Sequence, residues 1–191
     1  MRASVFGKNK SIMKKINFLF IKIILLLFIS KLAIAATATA SLPVSASVTQ
    51  VCSVSTSTAL AFAIYDPIGT NATAPLNSIG QISVACSKGA SGLTIGMDNG
   101  VHVSGTQRQM IGAVNSNLLS YSIYQPSSTA ALAVCTFPGT TLWTNTGVGM
   151  FTLTNSTSRV ARVYNVCGTI SGGQDVAADT YADTVIATIN F

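Results

Sequence analysis

The chain has no glutamate at any of its 191 positions, a single histidine, His102, and a single tryptophan, Trp143. Each scarcity removes a class of chemistry. With one histidine and no G-x-S-x-G elbow, a serine or cysteine hydrolase would rest wholly on His102. That residue sits between Val101 and Val103 just after a turn, and it reads as a partly exposed strand residue. Catalytic carboxylates would have to come from Asp66, Asp98, Asp175, Asp179 and Asp183. The last three recur every four residues, but Gly172-Gly173 and the β-branched residues around them mark a loop entering a strand, so a solvated loop is expected there before a calcium site. Close cysteine pairs of the zinc-binding kind are missing too. No enzyme activity, cofactor or metal is expected.

Long apolar runs are also scarce. Residues 23–29 are uninterrupted, yet Lys22 and Lys31 flank them, and a bilayer-spanning helix needs about 20 apolar residues. Arg2, Lys8, Lys10, Lys14 and Lys15 precede this run and Ala33-Ile34-Ala35 follows it, the layout of a secretory signal peptide over residues 1–35. Met13, followed by Lys14-Lys15, begins an equally good leader. Removing the leader takes most of the positive charge with it. Lys88, Arg108, Arg159 and Arg162 remain against five aspartates, a formal charge of minus one, so the pI of 9.4 describes the precursor. No basic footprint for nucleic acid survives.

What remains is 191 minus 35, or 156 residues, a length that suits one domain. Gly, Ser, Thr, Ala and Val dominate it, a composition of short strands and tight turns. Strands are predicted over 44–51, 60–65, 80–86, 93–97, 109–112, 119–124, 149–153, 159–167 and 181–191. The fold class is therefore all-β, a sandwich or barrel. Four cysteines in an exported chain imply disulfides, with three pairings open. Cys52 with Cys86 and Cys135 with Cys167 is the pairing favoured, because each bridge then ties an early strand to a later one within its own half. Tyr121, Tyr124 and Trp143 could offer a sugar-stacking platform, but aromatics of this kind are more often core.

Both ends of the mature chain alternate. Leu42, Val44, Ala46 and Val48 lie on one side of an extended segment, and Tyr181, Val185, Ala187, Ile189 and Phe191 lie on one side of a strand that runs to the last residue, with Ile186 out of step. A sheet built this way can leave an edge short of a partner, and an extended end can supply the missing strand to a neighbour.

Several landmarks then follow in order: Leu60-Ala61-Phe62-Ala63-Ile64-Tyr65-Asp66-Pro67, Ser83-Val84-Ala85-Cys86, Thr94-Ile95-Gly96-Met97-Asp98, Arg108-Gln109-Met110, Leu119-Ser120-Tyr121-Ser122-Ile123-Tyr124, Gly173-Gln174 and Thr180-Tyr181-Ala182-Asp183-Thr184-Val185. The ordered set resembles the spore coat protein U domain, the family that also contains subunits of archaic chaperone-usher pili. Ala63 stands where glycine is usual, Pro43 interrupts the alternating segment, and Cys135 with Cys167 looks like an addition to the usual first pair. The resemblance implies an incomplete immunoglobulin-like β-sandwich over residues 51–191. A donor strand from a periplasmic chaperone, and later from a neighbouring subunit, would complete it. Residues 36–50 would be the chain's own donor segment, with Leu42, Val44, Ala46 and Val48 in successive pockets. Implied partners are that chaperone, an outer-membrane usher and head-to-tail neighbours; the implied destination is the cell surface, by way of the periplasm. A surface fibre supporting adhesion or biofilm formation is the first functional expectation. A non-fibrous coat protein and a carbohydrate-binding adhesin are the alternatives.

Overall fold

The structure, a computed structural model, describes residues 35–191, so the expected leader lies outside it except for Ala35. Residues 47–191 form one compact unit, and the segment ending at Ala46 belongs to another. The strands are β1 (Cys52–Thr58), β2 (Leu76–Cys86), β3 (Thr94–Met97), β4 (His102–Ser104), β5 (Gln107–Gly112), β6 (Leu118–Tyr124), β7 (Phe151–Thr152), β8 (Arg162–Ile170), β9 (Tyr181–Ala182) and β10 (Ala187–Asn190). Helix is limited, among the described residues, to single 3-10 turns at Thr70–Ala72 and Gly147–Gly149. Seven strands make a larger sheet in the order β1-β2-β8-β6-β5-β4, with β9 also on β5. Three make a smaller one, β10-β3-β7. Each pairing is antiparallel.

Alternation decides which face is buried. Along β2, Ile82, Val84 and Cys86 are buried while Ile79 is exposed on the other face; on β8, Tyr164, Val166 and Ile170 face inward. Trp143 and Tyr164 are wholly buried around Phe151, with ring centroids 4.9 Å and 5.7 Å from it. The Trp143 indole N–H donates to the Ile95 carbonyl at 2.8 Å, so the largest side chain is packed without an orphaned donor. Trp143 and Tyr121 are core, which removes two of the three rings from the sugar platform considered above.

Both disulfides are present. Cys52 lies directly opposite Cys86 in the β1–β2 ladder. Cys135–Cys167 fastens the long β6–β7 connection to the outer face of β8, where the Leu132 amide also donates to the Val163 carbonyl and the Asn165 side chain donates to the Ala133 carbonyl. Spanning 34 and 32 residues, each closes a loop worth about 3 to 4 kcal/mol of unfolded-state entropy.

Four expectations change. Residues 44–51 form no strand; the ladder begins at Cys52, because its partner β2 ends at Cys86 and the chain turns away through Gly89, at φ +86°. Residues 60–65 are extended but unladdered. The C-terminal run 181–191 is broken: β9 pairs with β5 in one sheet and β10 with β3 in the other, so the chain changes sheets between Ala182 and Ala187. Phe191, expected inside, is 54% exposed. His102, read from the sequence as a partly exposed strand residue, lies in β4 and pairs with β5.

Leu60 and Phe62 explain two glycines. A Cβ on Gly80 would come within 2.9 Å of the Leu60 backbone nitrogen, and one on Gly168 within 2.7 Å of Leu60 and 2.8 Å of Phe62. The two apolar side chains therefore rest on bare backbone. Gly168→Val is expected to lower unfolding stability by about 1 to 3 kcal/mol through overpacking. Urea denaturation checks this, and an unchanged midpoint would contradict the seating of Leu60 and Phe62.

Candidate functional site

Two free edges define the site. Among the described residues β1 has no partner on its outer side in the larger sheet, and neither has β10 in the smaller one. The apolar side chains between them are only half-buried: Val54, Leu60, Phe62, Met110, Val185 and Ala187 pack on the core yet stay partly open. A cavity of about 340 Å³ runs along Val54, Ile82, Tyr121, Val166, Val185 and Ala187. A second, of about 970 Å³, follows residues 60–68 and 176–183, with Tyr65, Leu119, Ile170 and Tyr181 in its walls. Leu60, Phe62, Met110 and Asp183 line both, so the two cavities form one groove with a ridge across it.

The strap of residues 59–65 borders that groove with an open backbone. Leu60 and Phe62 point inward while Ala61 and Ala63 point out, the alternation of a strand; it breaks at Ile64, which is exposed, before Tyr65 turns in. Yet among the described residues its main-chain groups bond to no other main chain, and the Ala61 carbonyl takes a bond from the Ser78 hydroxyl alone. Tyr65 fixes the far end: its hydroxyl contacts the Asn71 and Ser171 carbonyls and accepts from the Gln174 amide at 2.9 Å. Apolar pockets beside unpaired backbone are what an added strand requires.

A buried polar knot holds the opposite wall. The Asp183 carboxylate, 2% exposed, accepts from the Val101 and His102 amides at 2.9 and 3.2 Å and from the Tyr121 hydroxyl at 2.6 Å. His102 Nδ1 lies 3.5 Å from it. Gly100, at φ +80°, passes so close that a Cβ would overlap the carboxylate. Asp98 accepts from the Gly100 amide at 3.0 Å and the Ile186 amide at 2.9 Å, which pins the point where the chain changes sheets. Arg108 is 3% exposed and donates to the carbonyls of Asp98, Met97 and Trp143 at 2.8, 3.0 and 2.7 Å. Burial lowers the Arg108 pKa, while burial and the bond to Asp183 push the Tyr121 hydroxyl far above its usual range. Tyr121 is thus a permanent donor.

The aspartates do not converge on a catalytic or metal-binding geometry. Asp179 accepts from the Asn115 and Val114 amides at 3.0 and 2.8 Å and from Thr180 at 2.7 Å, bonds that hold its carboxyl below the usual range. Asp183 serves other amides altogether. Among the described residues no three His, Cys, Asp or Glu side chains are grouped as metal ligands. Of the residues expected to donate a strand, Leu42, Val44 and Val48 are 85%, 88% and 90% exposed, and Ala46 is exposed beside them. Of the expected C-terminal set, Val185 and Ala187 line the smaller cavity, Tyr181 lines the larger, and Ile189 packs on the core. The strap, Met110 and Asp183 were not read from the sequence as lining a groove, although the landmarks at 60–67, 108–110 and 180–185 contain all three.

Asp183→Ala would strand three donors and is expected to cost at least about 3 kcal/mol, against about 1 to 2 for Tyr121→Phe. Equal effects in chemical denaturation would contradict the knot. Asp179 titrates lower in the folded than in the unfolded chain. Its contribution is therefore complete above the ordinary aspartate range and disappears as pH falls through the folded value. Asp179→Asn should flatten that acid limb in a series of urea midpoints against pH; an unaltered limb would show that these amide bonds contribute nothing.

Known proteins resemble much of this chain. A solved complex, the CsuC–CsuE chaperone–tip adhesion subunit pre-assembly complex from archaic chaperone-usher Csu pili of Acinetobacter baumannii, aligns over 75% of this chain at 21% identity and a TM-score of 0.49. The chain spans 40% of the length of that solved chain. It is 34% identical over 141 residues to Protein U of Myxococcus xanthus, covering 69% of this chain and 71% of that protein. The family model of the Spore Coat Protein U domain matches residues 38–188. The chain belongs to the spore coat protein U domain family.

Proposed function

We propose that this protein is a structural subunit of a secreted surface fibre, assembled by donor-strand complementation and supporting adhesion or biofilm formation. The observation that carries the reading is the groove: half-buried apolar side chains beside free strand edges, in a chain that also carries an exposed, alternately apolar segment. Residues 36–50 act as the donor, and residues 51–191 as the acceptor. A periplasmic chaperone fills the groove first, an outer-membrane usher admits the subunit, and the next subunit's segment replaces the chaperone. Because donor and groove are different surfaces, the contact is head-to-tail and propagates as a fibre. Export through the periplasm to the cell surface follows. The reading assigns no catalytic role to any residue.

Deleting residues 36–48 from the exported chain is expected to abolish detergent-resistant multimers while a chaperone complex persists. Val44→Asp should block multimers as well, since an unpaired charge in an apolar pocket costs several kcal/mol. Unboiled detergent gels read both results, and multimers surviving the deletion would rule out donor exchange. The family's description supports a second reading, a non-fibrous coat protein. Electron microscopy of the exporting cell separates the two, with fibres favouring the first and an amorphous layer the second.

A further inference from the structure

The ridge across the groove is set at a fixed height. Leu60 and Phe62 rest on Gly80 and Gly168, where even a methyl group would collide, so neither side chain has room to sink deeper. Asp183 is held by Val101, His102 and Tyr121, so its carboxylate cannot move aside without breaking those bonds. Met110 is the one flexible member of the four. A strand laid along the groove must therefore carry a small side chain where it crosses this ridge and larger ones on either side.

The alternating segment has that form: Leu42 and Val44, then Ala46, then Val48. It is also matched in charge. Residues 36–51 contain no Asp, Glu, Lys or Arg, and the carboxylates lining the groove already accept from the chain's own donors: Asp183 from Val101, His102 and Tyr121, Asp66 from the Ile68 and Gly69 amides, and Asp179 from the Val114, Asn115 and Thr180 amides.

We propose that the donor segment of a second copy enters in a single register, antiparallel to the C-terminal run, with Ala46 on the ridge opposite Asp183. Val44 then faces Val185 and Leu42 faces Ala187 in the smaller cavity, while Val48 faces Tyr181 in the larger one. This register rests on the donor-strand reading above and refines it. A slip of one residue turns every apolar side chain away from the groove. A slip of two puts Val44 or Val48, each larger than Ala46, against ridge side chains that cannot sink onto Gly80 and Gly168. Ala46 is thus the specificity-determining residue of the donor and Met110 its adjustable counterpart.

The test is the multimer ladder from cells exporting the full chain with its chaperone and usher, normalised to soluble subunit so that folding failures are visible. Ala46→Phe should reduce multimers on the order of tenfold, the consequence of overpacking at a fixed site. Ser47→Phe, on the face of the donor turned away from the groove, should stay within about twofold of the unaltered chain. Combined with Ala46→Phe, Met110→Ala should restore most of the loss. The register is overturned by full polymerisation of Ala46→Phe, by an equal block in Ser47→Phe, or by the absence of rescue. Absence of multimers from the unaltered chain would overturn the donor-strand reading itself, and the register with it.

Discussion

Unpaired backbone along an apolar groove is the constraint on which the rest of this structure turns. A buried or half-buried N–H or C=O without a partner costs about as much as a lost hydrogen bond, and the strap at 59–65 together with the free edge of β10 presents a row of them. Val54, Leu60, Phe62, Met110, Val185 and Ala187 add apolar surface that remains half in water. Both deficits are removed by the same object, an extended chain with alternating apolar side chains. Neither can be removed by rearranging the sandwich, because the groove walls are fixed elsewhere.

That fixing is what makes the groove a site rather than a loose end. On one side the Cys52–Cys86 bridge and the β1–β2 ladder hold β1, and Gly80 and Gly168 let Leu60 and Phe62 settle against the sheet. On the other, Asp183 and Asp98 fasten the C-terminal run at the point where it leaves one sheet for the other. Tyr121 and Arg108 complete this wall with bonds to a carboxylate and to carbonyls, so the polar knot is satisfied from within. A preorganised groove loses little entropy of its own when a strand arrives.

Much of this was legible in the sequence, and the reasons for the rest are specific. Period-two alternation located β2, β3, β5 and β6 to within a few residues, because one face of each is buried. It failed at residues 44–51, since the even-numbered pattern runs from Leu42 through Val54 with only Gln50 polar, and no local signal says where a ladder partner begins. It also joined β9 to β10, because a chain that changes sheets between two straight segments keeps its alternation: Tyr181, Asp183, Val185, Ala187 and Ile189 are all less exposed than the even positions between them. The groove itself depends on which edges remain unpaired, a property of tertiary topology. Its ridge depends on two glycines meeting a strap at least twenty residues distant, and single-sequence patterns carry no such information.

The central claim is that residues 51–191 need a strand from elsewhere to complete their fold. Refolding a chain of residues 50–191, with and without a synthetic peptide of residues 36–51, tests it most directly. The account predicts a peptide-dependent rise in the cooperative unfolding temperature, with amide exchange slowed along β10 and the strap. An equally cooperative transition at the same temperature without the peptide, and unchanged exchange on adding it, would contradict it.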